Sequence, residues 1–122
     1  MRYLLLIYGD EKAWAEMPPE KLDESMKAWW EYDQWLHDAG WHRGGDALQP
    51  TQTATTVRVR DGKTLTTDGP FAETKEQLGG FYLIECDNLD QAIEAAAKLP
   101  SSPMGSSEIR PIQEFDQAES PS

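Results

Sequence analysis

Arg2-Tyr3-Leu4-Leu5-Leu6-Ile7-Tyr8 is apolar at nearly every position. A strand with one wet face alternates apolar and polar residues, so this stretch reads as a strand covered on both sides. Phe81-Tyr82-Leu83-Ile84-Glu85-Cys86 repeats the pattern. Two strands that need shelter above and below decide which architectures remain.

The segments between them supply part of that shelter. Gly9-Asp10 ends the first strand, and a polar connection carrying Trp14 leads to Pro18-Pro19. Proline suits the first turn of a helix, and Glu20, Asp23 and Glu24 suit its positive end. The pattern predicts a helix over 19–39 with Gly40 as its stop. Leu22, Met26, Trp29, Asp33 and Leu36 share one face of it, while Trp30 and Trp35 fall off that stripe and are either part of a partner surface or lone exposed aromatics. Residues 41–48 read as a short strand with a glycine bulge at Gly44-Gly45. Residues 53–60 are β-branched, Asp61-Gly62 makes a two-residue turn, and 64–67 returns. Asp87-Asn88 caps a helix over 89–99 with Leu89, Ile93 and Ala96 inward. Glu108-Ile109-Arg110-Pro111-Ile112 is the last strand, and residues 116–122 form a polar tail.

The order β-α-β-β-β-α-β describes an α+β, ferredoxin-like fold, an antiparallel sheet with two helices on one face. Two helices leave the other face bare. A second copy of the chain is the simplest cover, and each large side chain it shields contributes about 1.5–3 kcal/mol. A homodimer is therefore expected.

Composition excludes several partners. The 122 residues suffice for one domain, and a 39% hydrophobic fraction with five tryptophans argues against disorder. With 11 basic and 22 acidic residues the net charge is -11, which repels nucleic acid and anionic lipid. The longest apolar run, 3–8, falls far short of the roughly 20 residues of a membrane span, and the start shows no signal pattern. Cys86 is the single cysteine, so no internal disulfide forms and a cytoplasmic location is expected.

The candidate chemistry lies in Asp68-Gly69-Pro70-Phe71-Ala72-Glu73-Thr74-Lys75-Glu76-Gln77-Leu78-Gly79-Gly80. A connection this long in a compact domain is usually functional or disordered, and Pro70, Phe71 and Leu78 favour order. Asp68 is either a turn residue or a general acid or base at a cavity mouth. Glu73, Lys75 and Glu76 are either solvated charges or substrate-binding groups on the same rim. Asp33 is either a solvated edge residue or a carboxylate looking into a pocket. Arg58 projects opposite Val57 and Val59; if inward, it requires a carboxylate partner or an anionic ligand. Tyr8, Trp29 and Tyr82 are the expected pocket aromatics. His37, Asp38, His42 and Asp46 match no established metal-ligand spacing, so neither metal nor other cofactor is expected.

The chain resembles a known family at Met1-Arg2-Tyr3-Leu4-Leu5-Leu6-Ile7-Tyr8-Gly9, Gly45-Asp46-Ala47-Leu48-Gln49-Pro50, Ala54-Thr55-Thr56-Val57-Arg58, the 68–80 stretch and the final strand. These look like the YCII-related family and, more narrowly, its DGPF branch, over about residues 1–115 as a single domain. The resemblance implies a dimeric α+β barrel and enzymatic activity resting on a histidine and an aspartate. The aspartate carries onto Asp68. No histidine is carried over, since His37 is assigned to the exposed side of the helix and His42 stands where branch relatives have an aliphatic residue. The branch's proximity to sigma factors implies a regulatory link. Two functions follow: a small-molecule enzyme using metal-independent acid–base chemistry in a dimer cavity, or a non-catalytic dimeric ligand-sensing or partner-binding module tied to transcriptional regulation.

Overall fold

A computed structural model describes residues 1–115; the polar tail expected at 116–122 lies outside the described residues. Strand β1 (Arg2–Gly9) runs into a short helix α1 (Glu11–Ala15), then into α2 (Pro19–Asp38) and β2 (His42–Ala47). A 3-10 turn at Thr51–Thr53 precedes the hairpin of β3 (Thr55–Arg60) and β4 (Lys63–Asp68). Strand β5 (Gln77–Glu85), helix α3 (Leu89–Ala97) and strand β6 (Ser106–Pro111) complete the order.

Four strands form one sheet in the order β2-β5-β1-β6, every neighbour antiparallel. The arrangement is α+β and consistent with the ferredoxin-like class. Alternate residues of β1, namely Tyr3, Leu5 and Ile7, are buried with Ile84 of β5 under α2 and α3. The opposite face carries Leu4 and Leu6, paired with Leu83 and Phe81 of β5, and these are only half-buried.

Local chemistry accounts for the boundaries. Pro19 opens α2 at its first position, where a missing N–H loses nothing, and Gly40 with φ +78 ends the turn after it. Asp61 (φ 52) and Gly62 (φ 74) make the left-handed hairpin turn. The β2 ladder shifts register between His42 and Gly44, so the irregularity falls at Arg43 and the expected glycines themselves stay in the ladder. The Asn88 side chain accepts from the Gln91 N–H and caps α3.

Four expectations need correction. The hairpin β3–β4 does not join the main sheet but stands as its own two-stranded sheet. The polar connection holding Trp14 is helical, because Asp10 caps it by accepting from the Lys12 N–H. Helix α3 buries Ala92, Ala95 and Ala96, whereas Leu89 and Ile93 are about half exposed, at 50% and 49%. Small residues let the helix approach α2 closely enough for the Tyr32 hydroxyl to donate to the Ala95 carbonyl at 2.7 Å. On α2 the buried residues are Tyr32 and Leu36; Leu22 and Met26 sit over open space, and Trp35 packs edge-on against Trp41. No helix among the described residues is long and apolar enough to cross a membrane.

Candidate functional site

The space beneath the first half of α2 is a cavity of about 540 Å³, within the usual range for small-molecule sites. Helix α2 contributes Leu22, Met26, Trp29, Trp30 and Asp33, and strand β5 contributes residues 79–82. Trp14 of α1 closes one end.

Trp14 is held there by two glycines. A Cβ at Gly9 or at Gly79 would fall on the Trp14 ring, so the indole lies directly across both backbones. Helix α1 is fastened at its other end. The Glu11 N–H donates to Gln77 Oε1 at 3.0 Å, and the Glu11 carboxylate accepts from Thr51 N at 2.6 Å and Thr51 Oγ1 at 2.9 Å. Tyr82 occupies a third such seat, since a Cβ at Gly45 would stand 2.7 Å from its ring.

Asp33 lines the cavity from α2 with its side chain 41% exposed. Its Oδ2 lies 3.3 Å from His37 Nε2, one turn along α2, and its Oδ1 lies 3.3 Å from His42 Nε2 at the start of β2. The Tyr82 hydroxyl donates to Oδ1 across a long 3.5 Å contact. Burial, reinforced by the Asp33 charge, pushes the Tyr82 phenol up to about 12, so it remains a neutral donor through the physiological range. Trp29, four residues before Asp33, lies nearly parallel to Tyr82 with centroids 6.5 Å apart.

Asp33, His37 and His42 present ligand atoms within 4.8 Å of one another. The two imidazoles are nearly parallel, with centroids 4.0 Å apart and an interplanar angle of 19°. An imidazole binds a metal close to its own ring plane, and two stacked planes share no such point. Holding an ion would first require a ring to turn. As it stands, the cluster is a carboxylate braced by two rings.

The residues expected from the sequence divide sharply. Asp33 does face the cavity, beside Trp29 and Tyr82. Asp68, Arg58, Glu73, Lys75 and Glu76 do not line it. Asp68 is the exposed last residue of β4; Glu73 and Lys75 are exposed in the loop, and Glu76 is half-buried beside β5. That loop is shorter than expected, because β5 begins at Gln77. Pro70 and Phe71 border a second, shallower groove with Leu48, Pro50 and Leu78. Arg58 does project opposite Val57 and Val59, yet makes no ion pair among the described residues. His37 is exposed, as expected, yet it touches Asp33 and stacks on His42. The (i, i+4) spacing of Asp33 and His37 was a legible signal. The Trp14 seat was not, since nothing local links Gly9 to Gly79.

A family model described as the YCII-related domain matches residues 1–116. An uncharacterised protein of Rhizobium meliloti (strain 1021) is 39% identical over 127 aligned residues, covering the whole of both chains.

Proposed function

The chain belongs to the YCII-related family, and within it we propose a small-molecule enzyme that works by metal-independent acid–base chemistry, with Asp33 as the group that moves the proton. One observation carries this reading: a carboxylate at the wall of an apolar cavity, braced by His37 and His42 at 3.3 Å and met by the Tyr82 hydroxyl. A carboxylate held in place by two imidazoles and a phenol is suited to take a proton from a bound compound and return it. His42 acts as a positioning residue, because it touches Asp33 and does not itself line the cavity.

The working form under this proposal is a homodimer. Support comes from the half-buried Leu4, Leu6, Phe81 and Leu83 on the open sheet face and from a two-stranded hairpin with Val57 and Val59 about 60% exposed. An isolated hairpin is marginal in water, and a second copy gives it something to pack against.

Only one of the expected charged groups faces the cavity, which favours a second reading, a ligand-sensing module without chemistry. Solvent-exchange measurements separate the two. In heavy water, small aryl ketones and phenols, with and without an amino group, are followed by NMR for enzyme-dependent loss of C–H signal. Asp33→Asn is expected to slow exchange by about 10²–10⁴-fold while circular dichroism stays unchanged. Asp68→Asn, on the exposed end of β4, is expected to leave the rate within about twofold. Binding without exchange of any compound would leave the sensing reading.

A further inference from the structure

The cavity has an unusual balance of charge. Aromatic rings come from Trp14, Trp29, Trp30 and Tyr82, methionines from Met17, Met26 and Met104, and among the described residues the only formal charges lining it belong to Asp33 and Asp46. Among the described residues no Lys, Arg or His lines it. An anionic ligand would be buried there without a counter-charge, which is strongly unfavourable. A carboxylate has about four acceptor positions. His37, His42 and Tyr82 stand at three contacts on Asp33, which leaves acceptor capacity toward the cavity. The Trp29 and Tyr82 rings lie beside that carboxylate and offer electron-rich faces to a cation. The whole chain adds its net charge of -11, which concentrates cations at the entrance.

From this juxtaposition we infer that the cavity selects an arylalkylamine in its ammonium form, with the nitrogen at Asp33 and the ring among the tryptophans. The exposed apolar rim of Leu22, Met26 and Trp30 extends the surface for the ligand's hydrocarbon part. The inference rests on this cavity being the functional site named above, and it deepens that reading by fixing the ligand's charge.

Three probes with the same ring test it: 2-phenylethylammonium, 2-phenylethanol and 3-phenylpropanoate, titrated calorimetrically into the intact protein at pH 8. The ammonium is expected to bind at least about tenfold more tightly than the alcohol, and the propanoate most weakly. Asp33→Asn is expected to erase the preference for the ammonium while alcohol binding persists, which shows that the variant is folded. Equal binding of ammonium and alcohol, tighter binding of the propanoate, no binding of any probe, or a preference that survives Asp33→Asn would each overturn it. Ammonium preference without hydrogen exchange defeats only the acid–base reading. Exchange without ammonium preference defeats only this one.

Discussion

Asp33 on α2 and His42 on β2 approach to 3.3 Å across the end of the helix that separates them. Gly40 makes the contact available, because its left-handed backbone turns the chain back so that β2 begins beside the last turns of α2. The Trp41 N–H donates to the Leu36 carbonyl at 3.0 Å and holds the reversal.

His42 is the more enclosed of the two imidazoles, with its side chain 20% exposed against 52% for His37. Replacing it should therefore disturb Asp33 more. His42→Asn is expected to lower the exchange rate about tenfold, equivalent to about 1.4 kcal/mol, with ligand affinity little changed. His37→Ala is expected to have a smaller effect on rate. Measuring rate and affinity separately checks this, since loss of affinity alone would indicate a binding role for His42.

Gly79→Ala drives a methyl group into the Trp14 ring and forces the indole off its seat. Urea denaturation should show a loss of about 1–3 kcal/mol, the range for overpacking. Trp14→Leu in the same chain should restore part of that loss by making room. If the double variant is no more stable than Gly79→Ala alone, Trp14 is not the obstacle.

Alkaline pH should loosen the same region. The unfolded phenol titrates near its ordinary value of 10, whereas Tyr82 is pushed up to about 12, first by burial and then by the Asp33 charge. Tyr32 is raised as well, by burial and by Tyr82. A folded value above the unfolded one means that the protein binds protons more firmly than its unfolded chain. Stability from these groups is complete below pH 10 and falls as pH rises toward 12. Denaturation midpoints between pH 9 and 11.5 should decline less steeply in Tyr82→Phe than in the parent.

The hairpin offers a test of assembly. Val57 and Val59 are 59% and 60% exposed and sit on one face of β3. Val57→Lys with Val59→Lys should shift the protein from dimer to monomer in sedimentation at micromolar concentration, through loss of apolar contact and like-charge repulsion. A parent protein already monomeric there would remove the dimer proposal.

Much of the frame was legible from residue types alone. Periodicity located β1, β5 and α2, and the turn chemistry of Asp61-Gly62 and Gly40 located two chain reversals, because each of these signals is local. Helix faces were read less well. Leu89 and Ile93 looked like the inner stripe of α3, yet the alanine face was chosen, since close approach to Tyr32 rewards small residues over large ones.

The sequence by itself determined where most of the strands and the two longer helices lie, that the first strand carries apolar groups on both faces, and that Asp33 stands anomalously on the apolar stripe of α2. Each follows from intervals of a few residues, over which the backbone has little choice. Tertiary structure alone decided that Asp33, rather than the acidic loop after Asp68, meets the cavity, that His42 joins His37 against it, and that Trp14 rests on glycines seventy residues apart in the chain. Those encounters depend on how strands order themselves in the sheet, and pairing between distant segments leaves no period in the sequence to read.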